Sequence, residues 1–358
     1  MKKFITVLVI ALAAVSVAVT AAIAKPAKKS ASADVCVLLP DTKSSVRWEQ
    51  FDRPYLDKTL KAAGVSHTIV NALNDPQKMR SQADQCLANG AKVIIIAPLD
   101  AGSASAIEKA ALAKGAKSID YDRQVEGGNA VAYVSFDGKT VGVLQAGAVI
   151  KGLKAKGLYG KKPVVASLWG GQTDANAFLF KSGVDKVLNP LYKSGTLTKG
   201  PQQFVPDWDG TNASTIYEQM LVKTGNKING VAAANDNLAN SVVVAQKTHG
   251  LAPIALSGQD ASSQGVQNII SGWQTATVFK DVRKLAVIAA NTAVDILKGK
   301  PVKYTSIIKT KGRGPEKAIL IAPESIDKSN FRKLFTSGFL KRKDVCNGEY
   351  AKYCIKPA

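Results

Sequence analysis

Short apolar runs alternate with amphipathic stretches along most of the chain, beginning at residue 34. Residues 34–40 (DVCVLLP) and 92–98 (KVIIIAP) are rich in Val, Leu and Ile, which is typical of buried strands. Apolar residues with helical spacing follow each run, and this order recurs up to residue 121. The pattern predicts an α/β fold, with a parallel sheet and helices on both of its faces.

The same alternation begins again after residue 137. Helices are predicted at 139–154, 175–187, 212–223 and 238–250, and strands at 163–169, near 204, at 230–234 and at 254–258. A chain of 358 residues also exceeds the size at which one core keeps growing, so we expect two doubly wound parallel-sheet lobes. A later helix (282–297) and strands (304–308, 318–321) indicate that the chain crosses between the lobes more than once.

The N-terminus has the pattern of an export signal. Two lysines precede an apolar run, and the small residues Ala22 and Ala24 occupy the positions that signal peptidase recognises, which predicts cleavage before Lys25. An uncleaved membrane anchor is the alternative, because the run approaches the roughly 20 residues that span a bilayer. The small residues favour cleavage, and no cysteine follows the site directly, so we expect a periplasmic protein without a lipid anchor.

The chain is strongly basic, with a formal net charge of +21. Removing Lys2 and Lys3 with the signal leaves 21 − 2 = +19. Lysines are distributed along the whole chain, and no nucleic-acid-binding motif accompanies them. The charge therefore indicates a solvated surface, and nucleic acid is not an expected partner.

Export permits disulfides, and the chain has four cysteines. Cys346 and Cys354 lie eight residues apart in a polar tail, and we predict that they form a disulfide. Cys36 lies in the first strand, and Cys86 shares an apolar helical face with Met79 and Leu87. For this second pair, a bridge and two buried free thiols are both compatible with the sequence.

Polar and aromatic residues follow the carboxyl ends of the predicted strands, where open α/β sheets bind ligands. The set comprises Arg47, Trp48, Asp122, Arg123, Asp174, Asn176, Trp208, Asn235, Asp260 and Lys280. Carboxylates, amides, cations and indole rings together suit a neutral polyhydroxylated ligand. Asp174 and Asn235, taken singly, are explained equally well as helix caps. Arg123, Trp208 and Lys280 are not capping residues, and their presence favours a binding site.

Several segments resemble a known family. They are RWEQFDR (47–53), IDYDR (119–123), YVSFD (133–137), GGQTDANAFLF (170–180), AAND (233–236), SGQDA (257–261) and TVFK (277–280). In order and spacing they resemble the ribose-type periplasmic sugar-binding proteins that serve ABC importers, and the D-xylose binders among them, from residue 34 to about 339. The resemblance implies two lobes that close around a sugar by hinge rotation, without a cofactor.

The resemblance also implies the role of each residue. Ligand contacts are expected from Arg47, Asp122 and Arg123 in the first lobe and from Asp174, Asn176, Trp208, Asn235 and Asp260 in the second. Lys280 lies beside a crossover, and Trp48 is either a platform for the sugar ring or a core residue. The chain differs from the family around Lys43, and Trp169 is bulkier than expected at its position, so neither receives a role.

Crossovers are implied near Asp137, after Lys280 and within residues 312–315, and together they form a three-segment hinge. They divide the chain into a signal peptide (1–24), a flexible lead-in (25–33), an N-terminal lobe (34–136 and 281–312), a C-terminal lobe (137–280 and 313–340) and a cysteine-containing tail (341–358). A ligand contact, Arg123, and a hinge segment, at Asp137, would then lie close together on one continuous stretch of chain.

The function expected is a monomeric receptor that captures a monosaccharide, with D-xylose as the first candidate. It would deliver the sugar to an import permease with a cytoplasmic ATPase. The alternative is an exported sugar-acting enzyme, with Asp174 and Asp260 as an acid and base pair. A regulator of the same fold would need an N-terminal helix-turn-helix, where this chain has a signal peptide instead. Phosphate-loop and metal-binding motifs are absent from the sequence, and no enzymatic activity is expected.

Overall fold

A computed structural model describes residues 33–309, 312 and 314–355. The expected signal peptide (1–24) and all but the last residue of the lead-in lie outside the described residues. Within the described ranges, no helix has the length and apolar character needed to cross a membrane.

The first sheet has seven strands. They are β1 (Val35–Leu39), β2 (His67–Asn71), β3 (Val93–Ile96), β4 (Lys117–Tyr121), β5 (Ala132–Phe136), β11 (Ser306–Ile308) and β12 (Glu316–Ile321). Their order is β11-β12-β5-β4-β3-β1-β2, and every neighbouring pair is parallel except β11 with β12. The chain reverses its direction of winding between β1 and β3, so a ligand site is expected at the carboxyl ends of these central strands.

Alternate residues of β1 face two separate cores. Val35, Val37 and Leu39 pack with helices α1 (Arg53–Ala62) and α9 (Val282–Leu297) on one face. Cys36 and Leu38 pack with α2 (Pro76–Ala88) and α3 (Ala101–Ala113) on the other. A strand that is buried on both sides must be apolar throughout, which explains the unbroken hydrophobic run in the sequence.

The second sheet has four parallel strands in the order β7-β6-β8-β9. Its strands are β6 (Val164–Trp169), β7 (Thr198–Phe204), β8 (Gly230–Ala233) and β9 (Ala255–Leu256). The accompanying helices are α4 (Gly138–Ala155), α5 (Ala175–Lys193), α6 (Gly210–Thr224), α7 (Asp236–Thr248) and α8 (Ser263–Ile270). The predicted class, two doubly wound parallel-sheet units, is confirmed.

The chain passes between the sheets three times. The first two passages lie at Asp137 and at Lys280. The third lies between β12 and β13 (Glu324–Asp327), because β12 pairs with β5 in the first sheet while β13 pairs with β10 (Ala276–Phe279). Residues 316–321 therefore extend the first sheet, although the sequence placed them in the second lobe. An apolar run does not indicate which of two sheet edges it will join.

The C-terminal segment contains the short helices α10 (Lys333–Thr336) and α11 (Arg342–Val345) and a 3₁₀ helix, Gly348–Tyr353. Phe339 and Leu340 of this segment belong to the core formed by β1, α1 and α9. The tail also contacts helix α8, because Gln267 of that helix donates a hydrogen bond to the carbonyl of Val345. The tail is thus packed against helices of both units.

Both disulfides are present. Cys346 pairs with Cys354 as predicted, and Cys36 pairs with Cys86, which decides between the two alternatives for that pair.

Trp169, to which the sequence assigned no role, is a core residue of the second sheet. The ammonium of Lys181 lies 5.4 Å from its ring centre.

Helix α5 extends beyond its predicted end at residue 187 to Lys193 and includes Pro190. Leu188 is buried, and Leu191 and Tyr192 pack beside the same core. This packing offsets the hydrogen bond that proline cannot donate, so the helix continues where local propensity predicts an end.

Candidate functional site

A cavity of about 310 Å³ lies where the carboxyl ends of the two sheets meet. All ten residues selected from the sequence line it, namely Arg47, Trp48, Asp122, Arg123, Asp174, Asn176, Trp208, Asn235, Asp260 and Lys280. They come from seven separate loops or strand ends, so the fold assembles one site from residues that are distant in the chain. Such an arrangement matches the general rule for ligand sites in open α/β sheets.

Four further lining residues were not selected from the sequence. They are Ser44, Ser45, Phe180 and Gln259. Phe180 lies one helical turn after Asn176 on α5, and Gln259 directly precedes Asp260, so helical spacing and the strand-exit rule contained the signal for these two.

Asp122 is held in its charged form by buried cations. Arg47 Nη1 donates to Asp122 Oδ1 at 2.6 Å, and the ammonium of Lys280 lies 3.9 Å from the same oxygen. Burial alone would raise the pKa of Asp122, but Arg47 and Lys280 outweigh this effect and lower the pKa below its ordinary value. The carboxylate is therefore a fixed hydrogen-bond acceptor at the cavity.

Arg47 is oriented by a second carboxylate. Its Nε and Nη2 donate to both oxygens of Asp52 at 2.9 and 2.7 Å, and the hydroxyl of Tyr121 also donates to Asp52. Burial opposes the charge on Arg47, yet Asp122 and Asp52 raise its pKa well above the ordinary value. A five-residue π-helical segment, Trp48–Asp52, provides the spacing that lets Asp52 face Arg47.

The backbone of Asp122 has a left-handed conformation, with φ of 64°. Its carbonyl accepts hydrogen bonds from Tyr133 Oη at 3.1 Å, Ser135 Oγ at 2.7 Å and Asn176 Nδ2 at 3.0 Å. These donors come from both sheets and offset the cost of the conformation, which few non-glycine residues adopt. Asn176 is thus engaged by the backbone of Asp122, and it contributes to the cavity by fixing that residue.

Arg123 connects the two sheets. Its Nε lies 3.0 Å from Asp174 Oδ2, and its Nη1 donates to the carbonyl of Pro98 at 3.2 Å. Burial raises the pKa of Asp174, and Arg123 only partly opposes this effect. Asp174 also accepts from Asn176 N at the start of α5, as Asn235 accepts from Leu238 N at the start of α7. The capping interpretation is therefore correct for both residues, and both also line the cavity.

Trp208 forms one wall of the cavity. It ends the 3₁₀ turn Pro206–Trp208 with φ of 57°, a conformation that is unusual for a bulky side chain. A Cβ atom at Gly170 would lie 2.0 Å from the Trp208 ring, so only glycine allows the indole to pack there. Phe180 meets the ring edge to face at 6.2 Å.

Trp48 is both buried and in contact with the cavity, so the two roles considered for it coexist. The guanidinium groups of Arg47 and Arg123 lie 4.4 and 5.4 Å from its ring centre. Its Nε1 donates to Ser44 Oγ at 3.2 Å. The ring therefore supports the two arginines as cation–π partner while its edge lines the site.

Three buried polar atoms at the cavity have no hydrogen-bond partner among the described residues. They are Trp208 Nε1, Gln259 Oε1 and Asp260 Oδ1. Asp260 Oδ1 does have the Lys280 ammonium at 3.4 Å, and the backbone of Asp260 has φ of 93°. Buried polar atoms are rarely left unsatisfied, so these atoms indicate a polar ligand with both donors and acceptors.

The described residues contain no cluster of His, Cys, Asp or Glu side chains that could hold a metal ion. The cavity carboxylates instead face cations: Arg47 for Asp122, Arg123 for Asp174 and Lys280 for Asp260. The site is thus built to exchange hydrogen bonds with a neutral molecule.

Comparisons with known proteins agree with this architecture. A family model described as a periplasmic binding protein domain matches residues 35–301. The chain is 32% identical over 301 residues to the D-xylose-binding periplasmic protein of Escherichia coli (strain K12), covering 84% of this chain and 88% of that protein. It is also 32% identical over 351 residues to the multiple sugar-binding periplasmic receptor ChvE of Rhizobium radiobacter, covering 93% and 97%.

A solved structure gives the same result. An ABC transporter solute binding protein from Clostridium phytofermentans with bound β-D-glucose superposes with a TM-score of 0.81 at 26% identity, covering 87% of this chain and 99% of that one. The resemblance found in the sequence is confirmed. The chain belongs to the periplasmic binding protein family, has its type I fold, and falls among the ribose-type sugar-binding proteins of ABC importers.

Proposed function

We propose that this protein is an exported, monomeric receptor that captures a monosaccharide in the cavity and delivers it to the permease of an ABC importer. The observation that supports the proposal is the convergence of ten polar and aromatic residues, from both sheets, on one buried cavity. D-xylose is the first ligand to test, because the Escherichia coli relative is a D-xylose-binding protein. In this proposal the signal peptide is removed before Lys25 and the protein acts in the periplasm.

The cavity offers complementary partners for adjacent sugar hydroxyls. The carboxylates of Asp122, Asp174 and Asp260 accept hydrogen bonds, whereas Arg123 and Lys280 donate them. The indole N–H of Trp208 provides one more donor, and the ring itself can pack on the apolar face of a pyranose. Charge-assisted bonds of this kind are worth about 1.5–3 kcal/mol each, so loss of one partner should be measurable.

Capture requires the cleft to open, because contacts between the two sheets close it. Asn235 Nδ2 donates to the carbonyl of Ser44, and Ser45 Oγ donates to Asp260, both at 3.2 Å. We take the first lobe as the seven-stranded sheet with its helices and the second lobe as the four-stranded sheet with its own. The lobes would rotate about the three passages at Asp137, at Lys280 and between β12 and β13. The permease would then bind the closed form.

The proposal contains no catalytic step. The candidate acid and base, Asp174 and Asp260, each face a cation, and they contribute to binding in the way that the other cavity carboxylate does. A sugar incubated with the protein should be recovered unchanged, as measured by chromatography of the supernatant. Turnover of any sugar in the panel below would favour the enzyme alternative.

The direct test is titration calorimetry of the mature protein against D-xylose, L-arabinose, D-ribose, D-glucose and D-galactose. We expect saturable binding of at least one sugar with one site per chain. The same sugar should change the tryptophan fluorescence, since Trp48 and Trp208 line the cavity. D-glucose is included because the structural relative from Clostridium phytofermentans contains it. Absence of heat and of fluorescence change with every sugar would refute the proposal.

A further inference from the structure

A second chamber, of about 940 Å³, adjoins the cavity. Residues 43–51 of the first lobe form one side, residues 235–264 of the second lobe form the other, and Leu340 of the C-terminal segment closes one end. The chamber and the cavity share the residues Ser44, Ser45, Arg47, Asn235 and Asp260. The two spaces are therefore separated only by a common wall of side chains and one short loop.

Two hydrogen bonds close this wall, Asn235 Nδ2 to the carbonyl of Ser44 and Ser45 Oγ to Asp260 Oδ2. Both are 3.2 Å long, at the weak end of the usual range. A sugar hydroxyl between Asn235 and Ser44 can accept from Asn235 Nδ2 and donate to the carbonyl of Ser44, and a second one can accept from Ser45 Oγ and donate to Asp260. A ligand that extends from the cavity can thus replace both bonds and give each of the four protein groups a new partner.

The lining of the chamber combines many polar side chains with a larger apolar surface, and it is nearly neutral. Nine of its seventeen residues are Ser, Asn or Gln. Its charged residues are two cations, Lys43 and Arg47, and two carboxylates, Asp236 and Asp260, and Arg47 is already paired with Asp122 outside the chamber. Phe51 and Leu340 add apolar surface. Amides, hydroxyls and an apolar patch suit a second sugar unit, whereas an anionic group would gain no net attraction.

We propose that this chamber is a second subsite and that the receptor also binds disaccharides, with one unit in the cavity and a neutral glycosyl unit in the chamber. The inference rests on the proposed function, because the first unit uses the cavity described above. The chamber is larger than the cavity, so it has room for a second ring while the first keeps its contacts. Lys43, which the sequence left without a role, would contact this second unit.

The test compares two pairs of probes by titration calorimetry, D-xylose with xylobiose and D-glucose with cellobiose. We expect at least one disaccharide to bind with an affinity within tenfold of its monosaccharide. The decisive variant is Ser263→Trp, because Ser263 lines the chamber and not the cavity. A tryptophan there should lower the disaccharide affinity at least tenfold and leave the monosaccharide affinity within twofold. Ser194→Trp, at the exposed end of α5, is the matched control and should change neither.

The outcomes separate the two proposals. Binding of a monosaccharide without either disaccharide overturns the second subsite and leaves the receptor function in place. Absence of binding by these four sugars and by the rest of the monosaccharide panel above overturns the receptor function itself. If Ser263→Trp lowers the affinities for the monosaccharide and the disaccharide equally, or lowers neither, the second subsite is also overturned. If circular dichroism shows that this variant is unfolded, Gln50→Trp fills the chamber from the opposite lobe and has the same expected result.

Discussion

Two buried aspartates on either side of the end of β4 have pKa values shifted in opposite directions. Asp120 lies within the strand and Asp122 directly after it, and both are shielded from solvent. Beside Asp122 are Arg47 and Lys280, and its pKa is lowered despite burial. Burial and two carboxyl neighbours, Glu108 and then Glu316, raise the pKa of Asp120 well above its ordinary value. The neighbouring charges, and not the degree of burial, therefore decide which carboxylate is available to a ligand.

The backbone separates the two side chains. In a regular strand, residues two apart point to the same face, so Asp120 and Asp122 would share their surroundings. The left-handed conformation of Asp122 ends that alternation, and its side chain turns towards Arg47 while Asp120 faces α3. The strained residue is thus what brings a carboxylate from the sheet into the cavity.

The acid pair has a structural role. Glu108 accepts from the backbone N–H groups of Asn129 and Ala130, and Asp120 accepts from Val125 N at 2.7 Å. Glu108 is also the first neighbouring charge that raises the pKa of Asp120. Together the two side chains hold the loop that begins with the two binding residues after β4. One aspartate, with a raised pKa, thus anchors the loop, and the other, with a lowered pKa, presents its carboxylate from it.

The largest expected effect comes from Asp122→Asn. The amide keeps the size and tolerates the left-handed backbone, but Arg47 and Lys280 lose the charge between them. Breaking a buried ion pair in this way costs about 3–5 kcal/mol, so we expect the free energy of unfolding to fall by that amount. Urea unfolding of the ligand-free protein measures it. A cost below about 1 kcal/mol would mean that Asp122 is not ionised and would remove the contrast with Asp120.

A third buried carboxyl, Asp236, has neither a cation nor a carboxylate in contact. Gln274 Nε2 donates to it at 2.9 Å and Ser262 N donates at 2.9 Å. Burial raises its pKa to about 7, although these hydrogen bonds oppose the shift. The surroundings of Asp236 are therefore intermediate between those of the other two aspartates, and its pKa lies in a pH range in which the folded protein can be studied.

Asp236 makes stability depend on pH. Its pKa is higher in the folded than in the unfolded protein, so its contribution is full below pH 3.8 and is lost as pH rises to about 7. At about 1.4 kcal/mol per unit over roughly three units, the expected loss is about 4 kcal/mol. Urea unfolding at pH 5, 6, 7 and 8 should show a falling free energy, to which Asp120 also contributes because its pKa is raised as well. In Asp236→Asn the slope should flatten, and an identical slope in the variant would assign the dependence to other groups.

Arg123→Ala tests the charged face of the same loop. Arg123 meets Asp174 across the cleft, and the proposal gives it a charge-assisted bond to the sugar. We expect the affinity for the monosaccharide to fall by about 1.5–3 kcal/mol, which calorimetry resolves. Arg80→Ala is the control, because Arg80 forms an exposed ion pair with Asp84 on α2, away from the cavity. An unchanged affinity in Arg123→Ala would exclude this residue from the site.

The fold was predictable where apolar runs are long and uninterrupted. Helix α9 has the predicted bounds of residues 282–297, and strand β1 (Val35–Leu39) lies within the predicted run 34–40. Strand β13 and the helices of the C-terminal segment were missed, because they are short and depend on contacts with distant parts of the chain. The continuation of α5 through Pro190 likewise depends on packing that local sequence does not show.

For the site, the sequence predicted which residues line the cavity, but not which charged side chains contact one another. Strand ends and the family resemblance identified the ten residues, since the carboxyl ends of parallel strands must meet at one edge. Which charges face one another depends on chain geometry. Arg47 meets Asp52, five residues along, through a π-helical segment, and it meets Asp122, which is 75 residues away. The strand-end rule selected Asp122 and not Asp120, but nothing in the sequence indicated that their pKa values would shift in opposite directions.

The Asp120→Asn substitution has the smallest expected effect, and it tests most directly the difference between Asp120 and Asp122. An amide oxygen can accept from Val125 N as the carboxyl does. Near pH 4, where the carboxyl is partly protonated in the unfolded chain as well, the free energy of unfolding should change by less than about 1 kcal/mol. As pH rises above this value the variant should gain on the wild type, because the raised pKa of Asp120 costs the folded wild type stability there and the amide has no proton to lose. Urea unfolding at pH 4 and pH 7 measures both differences. A loss as large as that of Asp122→Asn would show that Asp120 is ionised in the folded protein, and the two sides of β4 would then not differ as described.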